Sequence, residues 1–326
     1  MSGARSDKRL EPACLPWRVS CRRRARPKPK SVRGMLTHPA NVGVLAMTNR
    51  YVVVTGASRG LGRTIALALA RSGFSVLAGV RRREDGEAVR RAASGWLEPL
   101  ILDVTSGESL RAAAADAERV TAGRGLAGLV NNAGVVLFGP LEQVPLEAVE
   151  NVFRVNVFGV IAVTQQFLPL LRQAAGRIIN ISAVNGKISI PFLSEYNASK
   201  SALEALSDSL RVELAPWGIR VSVVAPGAMR TDIRAEGVRR WTESRASLSP
   251  EKHALYERQF GKLRELMAQV DSTAAEHDPV TQAVYDALTA EVPQTRYLAG
   301  PDAAQWMQMA SLPDAQRDAA FLSMLG

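Results

Sequence analysis

Thr55-Gly56-Ala57-Ser58-Arg59-Gly60-Leu61-Gly62 joins a short apolar, β-branched run, Tyr51–Thr55, to a helical stretch at Arg63–Arg71. Glycines at this Gly-x3-Gly-x-Gly spacing let the backbone turn tightly and approach a pyrophosphate. The helix that follows offers its free N–H groups and positive dipole end to the phosphates. A strand, a glycine turn and a helix in that order therefore predict a dinucleotide site that uses Gly56, Ser58, Arg59, Gly60, Leu61 and Gly62. A plain glycine-rich turn is the competing reading.

Outward from this turn the chain alternates. Further strands are expected at Ser75–Val80, Leu97–Leu102, Leu126–Asn131, Arg177–Ser182 and Ile219–Val224, and a seventh at Thr295–Leu298. Helical patterns lie between them, for example at Leu110–Ala122 and Val144–Ala174. Strands apolar on both sides and separated by long helices imply a parallel sheet covered on both faces. Right-handed crossovers then give an α/β fold: one doubly wound (Rossmann) domain with a seven-stranded parallel sheet.

The chain has 326 residues, ample for one large core. With 47% hydrophobic and 22% charged residues it is neither disordered throughout nor collagen-like. No run approaches the roughly 18 apolar residues of a membrane-spanning helix. The only cysteines, Cys14 and Cys21, exclude a disulfide framework, and His38, His253 and His277 lack metal-ligand spacing, so no metal is expected.

Residues 1–46 hold 11 Lys+Arg against 2 acids, which accounts for +9 of the net +10. The body, 47–326, is nearly neutral and does not look like a nucleic-acid-binding surface. The basic leader, with its run Arg22–Lys30, is expected to be disordered. It reads as a transit peptide, a polyanion-binding arm, a membrane-phosphate contact, or an upstream stretch before a true start at Met47. A cytoplasmic location is the default expectation.

At the end of the second strand, an acidic residue would bind the ribose 2′-hydroxyl of NAD. Ala78-Gly79-Val80-Arg81-Arg82-Arg83 stands there instead, with no acid before Glu84. Arg81 and Arg59 suit a 2′-phosphate, so NADP(H) is the expected cofactor.

Tyr196 and Lys200 are four apart and share a helix face. An ammonium beside a phenol favours the phenolate, which makes a tyrosine usable as a general acid/base near neutral pH. Ala198, Ala202, Leu206, Leu210 and Leu214 form an apolar stripe on the same helix, with positions left over for a partner subunit.

With these motifs the sequence resembles the short-chain dehydrogenase/reductase family, most loosely its retinol and hydroxysteroid branch. The matching pieces run in the family's order: Thr55–Gly62, Asp103-Val104, Asn131-Asn132-Ala133-Gly134, Asn156, Gly176–Ser182, Tyr196-x3-Lys200 and Pro226–Thr231. The resemblance implies that Tyr196 exchanges the proton, Lys200 assists it and holds the nicotinamide ribose, and Asn156 orients a water. It places Asp103 at the adenine, Asn131 near the adjoining ribose and Thr231 at the carboxamide. Val104, Ala133, Gly134, Pro226 and Gly227 complete the cofactor set.

One departure stands out. The family's catalytic serine lies thirteen residues before the tyrosine, and here that position is Ala183. Ser182 is the expected substitute, with Asn185, Ser189, Ser194 or a water as alternatives. The expected function is thus an NADP(H)-dependent oxidoreductase acting on a hydrophobic alcohol or carbonyl. The alternative is a non-catalytic NADP(H)-binding sensor. Residues 232–278 read equally as a lid over an apolar substrate and as core packing. A homodimer or homotetramer is expected by the same resemblance.

Overall fold

The computed structural model describes residues 50–245 and 248–326, so the leader and the question of a start at Met47 lie outside the described residues. Seven strands, β1 (Tyr51–Val54), β2 (Ser75–Val80), β3 (Leu97–Ile101), β4 (Gly128–Asn131), β5 (Arg177–Ile181), β6 (Arg220–Pro226) and β7 (Arg296–Ala299), form one sheet. Their order is β3-β2-β1-β4-β5-β6-β7, every pair parallel. The order reverses between β1 and β4, which opens a crevice at the strands' carboxyl ends.

Helices cover both faces: α1 (Gly60–Arg71), α2 (Arg83–Ala92), α3 (Gly107–Thr121), α4 (Leu146–Phe153), α5 (Val160–Ala174) and α6 (Ser194–Glu213). Beyond β6 come α7 (Asp232–Arg245), α8 (Pro250–Thr273), α9 (Asp278–Thr289), α10 (Ala303–Ala310) and α11 (Asp314–Leu325). Alternation along β1 explains the two cores. Val52 and Val54 pack with Ile65, Leu69 and Val284 on one face; Val53 packs with Leu110, Phe167 and Leu171 on the other. Each such side chain contributes about 1.5–3 kcal/mol on burial, so a charge at Val53 would break the sheet from the middle.

One expectation needs correction. The helical pattern across Val144–Ala174 is not one regular helix. A π-helical turn, Arg154–Gly159, separates α4 from α5 and shifts the register midway. The buried face of α6 is largely polar: Asn197, Ser199, Lys200, Leu203, Glu204 and Ser207 are buried and find partners in the fold, Ala198 is exposed, and the far end of the apolar stripe, Leu210 and Leu214, packs into the core.

Candidate active site

The glycine turn is locked to the end of β4. Thr55 Oγ1 accepts the N–H groups of Asn132 and Ala133, both at 3.0 Å, and the Asn132 side chain donates back to Thr55 O at 2.9 Å. Gly56 has φ +66°, and a Cβ there would lie 2.9 Å from Ala133 Cα; on Gly62 it would overlap Gly56 O. Only glycine keeps this cradle open.

The cradle is one end of a cavity of about 970 Å³. Its wall includes Gly56, Ser58, Arg59, Gly60, Leu61, Gly62, Arg81, Asp103, Val104, Ala133, Gly134, Ser182, Tyr196, Lys200, Pro226, Gly227 and Thr231. Two candidates from the sequence are absent from that wall. Asn131 is 2% exposed and donates to Asn180 Oδ1 at 2.9 Å and Thr164 Oγ1 at 3.2 Å, tying β4 to β5 and α5. Strand alternation turns it inward, and Asn132 takes the cavity position. Asn156 lies in the π-helical turn behind the wall. Its amide oxygen accepts Val135 N, and its nitrogen donates to Val135 O and Ser199 Oγ, at 2.9, 2.9 and 3.1 Å. The side chain therefore clamps the loop after β4.

Lys200 is 5% exposed, donates to Ile181 O at 2.9 Å, and lies 5.6 Å from the centroid of the Tyr196 ring. Burial pushes its ammonium down to about 8, and the nearby Glu204 carboxylate opposes that shift. Glu204 is itself buried and held by Arg296 Nε at 2.9 Å and Lys187 Nζ at 3.7 Å. One turn earlier on α6, the carboxyl of Glu195 is buried without a hydrogen-bond partner, and burial raises it to about 7.

At the end of β5 both Ser182 and Ala183 border the cavity, because the strand gives way there to a tight turn at Val184–Gly186. The Ser182 hydroxyl is buried with no hydrogen-bond partner. Asn185 also faces the cavity, held by its amide donation to Asn197 Oδ1 at 2.7 Å. Ser189 and Ser194 are exposed and lie off the wall. Of the proposed substitutes for the missing serine, the fold thus brings two, Ser182 and Asn185, to the site.

The loop Pro226–Thr231 is pinned by groups that sequence reasoning missed. Both Asp302 oxygens accept Ala228 N, at 3.0 and 2.9 Å, and Trp306 Nε1 donates to the same carboxylate at 3.0 Å. His277 bridges Thr64 Oγ1 on α1 (2.7 Å) and Arg230 O on the loop (2.8 Å), linking the phosphate end to the nicotinamide end. No motif marks Asp302 or His277, since their partners lie 74 and 213 residues away.

The segment 232–278 contributes side chains both to a core and to the cavity wall. Trp241 and Phe260 stack with centroids 3.6 Å apart inside a core, whereas Leu263, Leu266 and Met267 border the cavity. The C-terminal helices α10 and α11 add Trp306, Met309, Phe321 and Met324, a wall the sequence reading did not assign. Among the described residues no helix is long and apolar enough to cross a membrane, and no cluster of His, Cys, Asp and Glu could hold a metal.

Comparison with known proteins agrees with this geometry. Residues 50–241 match the family model described as short chain dehydrogenase. Retinol dehydrogenase 7 of Mus musculus is 37% identical over 263 residues, covering 79% of this chain and 82% of that protein. The 17-beta-hydroxysteroid dehydrogenase type 6 of Bos taurus is 38% identical over 265 residues, with 79% and 82% covered. A short chain dehydrogenase from Burkholderia cenocepacia J2315, solved in complex with NADP, superposes with a TM-score of 0.62 at 27% identity, over 86% of this chain and 99% of that one.

Proposed function

The chain belongs to the short-chain dehydrogenase family, in its retinol and hydroxysteroid branch, and from that premise we propose that it is an NADP(H)-dependent oxidoreductase. Its substrates would be hydrophobic secondary alcohols and ketones, or primary alcohols and aldehydes. The observation that carries this reading is the shared cavity, in which the glycine cradle, Arg59 and Arg81 adjoin Tyr196 and Lys200.

The residues fit the cofactor. The cradle at Gly62 would be filled by any Cβ. Arg82 is committed to Asp85, at 2.9 and 2.8 Å, while Arg81 and Arg59 form no ion pair among the described residues. These two guanidinium groups, Arg81 after β2 and Arg59 in the glycine turn, suit a 2′-phosphate. When bound, the nicotinamide supplies or accepts the hydride. Tyr196 delivers the proton to the carbonyl oxygen, or removes it from the alcohol. Lys200, as ammonium, stabilises the phenolate left behind and holds the ribose. Ser182 or Asn185 donates to the oxygen on which charge develops. Asn156 acts at one remove, by holding the wall at Val135.

Michaelis constants for NADPH and NADH test the cofactor reading. NADPH should be favoured, and Arg81→Ala should erase about tenfold of the preference; a clear NADH preference overturns it. A carbonyl panel of aliphatic, steroid and retinoid compounds, followed through NADPH absorbance, tests the activity. Ala183 favours one second reading, a cofactor-binding protein without catalysis, which predicts NADPH binding and no turnover across that panel. The same proposal makes the protein a homo-oligomer. Exposed Phe158 and Val212 support a subunit contact, and measuring the mass in solution checks it.

A further inference from the structure

At the end of the sheet opposite the cofactor crevice, Arg50, Arg124 and Arg177 border a recess of about 300 Å³. Arg50 immediately precedes β1, Arg124 lies before β4, and Arg177 is the first residue of β5. Those strands are neighbours in the sheet, so residues far apart in sequence arrive side by side. The recess lies a strand's length, about 15 Å, from the catalytic end.

Each arginine is held by carbonyl groups. Arg177 donates to Ala287 O at 2.7 Å and Ala290 O at 2.6 Å. Arg124 donates to Thr121 O at 2.9 Å and to the Tyr51 hydroxyl at 2.6 Å. Arg50 donates to Leu288 O at 3.3 Å and lies over the Phe74 ring at 5.2 Å. These are the carboxyl ends of α3 and α9, each worth about half a negative charge. Two such ends offset about one of three positive charges. A guanidinium carries five N–H donors, so most of the fifteen remain free of these partners. Arg220, anchored on Glu291 O, adds a fourth cation beside Arg177. Burial lowers Arg177 and its repulsion by Arg220 and Arg50 lowers it further, with Tyr297 acting the other way. None of the four has an ion-pair partner among the described residues.

Capping two helices explains one or two donors on each arginine. It does not explain why several cations crowd one recess without an acid, since like charges at short range repel. We propose that this recess binds a multiply charged oxyanion, a small molecule carrying phosphate groups, gripped by the guanidinium forks of Arg50, Arg124 and Arg177. Planar forks of this kind match phosphate oxygens two at a time.

Calorimetric titration of the full chain with pyrophosphate tests this, alone and with NADPH at saturation. Heat that survives NADPH marks the recess rather than the crevice. In Arg124→Gln/Arg177→Gln its affinity should fall at least tenfold, and matched sodium chloride should not reproduce it. Arg124 is exposed, so Arg124→Gln alone keeps the test open if the double variant does not fold; it should lose a severalfold share. Equal binding by wild type and Arg124→Gln, no heat beyond the NADPH-sensitive part, or equal competition by chloride overturns the proposal. If NADPH itself gives no heat, the cofactor reading fails, yet the comparison of wild type with the variants still decides the recess.

Discussion

The two halves of the large cavity are built on different principles. The cofactor half is made of backbone. Gly56, Gly62 and the Thr55–Asn132–Ala133 hydrogen bonds leave little freedom, and a side chain there is an obstruction. The substrate half is made of interchangeable apolar side chains on helices, Leu263, Met267, Met309 and Phe321 among them. The first half recognises one fixed ligand; the second can be re-sized without disturbing the first. Tyr196, Lys200 and Ser182 stand at the junction.

The largest expected effect is at that junction. Tyr196→Phe should lower kcat/KM by about 10²–10⁴, with the NADPH dissociation constant unchanged; a proportional loss of cofactor binding would erase the division. Ser182→Ala should cost about 10²–10³ in kcat if its unpartnered hydroxyl polarises the substrate oxygen. Unchanged turnover in Ser182→Ala together with a comparable loss in Asn185→Ala would move that role to the amide.

Glu195 tests a different cost of the junction, because its buried carboxyl has no partner. Its value is raised to about 7 from 4.5. The native state therefore holds this proton more tightly than the unfolded chain does. The contribution is fully present below about pH 4.5 and is lost as pH rises through 7. Glu195→Gln should be more stable than wild type at pH 8 by on the order of 2–3 kcal/mol, and thermal melts across pH 4–8 should show a flatter profile. A parallel pair of profiles would place the carboxyl in a better-solvated site.

Leu263→Ala should raise KM for a bulky apolar substrate by about tenfold, as expected for a few methylene groups, while KM for NADPH stays put. The smallest effect is a pH shift. Lys200 loses its proton near 8, and Glu204 supports the charged form. Carbonyl reduction should decline as pH rises through that value, and Glu204→Gln should move the decline to lower pH. A shift to higher pH would mean that Glu204 acts through Arg296 and not on Lys200.

Much of this could be read in one dimension. The glycine turn, the arginines after β2 and the Tyr196–Lys200 spacing are local patterns, and each expresses a period or a turn that neighbouring residues enforce. Strand ends were legible to within a residue or two. The inward face of α6 was not, because its buried Asn197, Ser199 and Glu204 look solvent-facing until the partners Asn185, Asn156 and Arg296 appear. Asn131 and Asn132 were not separable either, since which one points into the crevice depends on the register of β4 between β1 and β5.

The sequence by itself determined the parallel sheet, the glycine turn and the one-turn spacing of Tyr196 and Lys200, because hydrophobic period, glycine geometry and one helical turn act between near neighbours. Tertiary structure alone decided that Asp302 and His277 brace the loop after β6, that Ser182 and Asn185 border the cavity beside Ala183, and that three arginines meet behind the sheet. Those arrangements depend on strand order and on contacts between segments up to 213 residues apart, which no local pattern encodes.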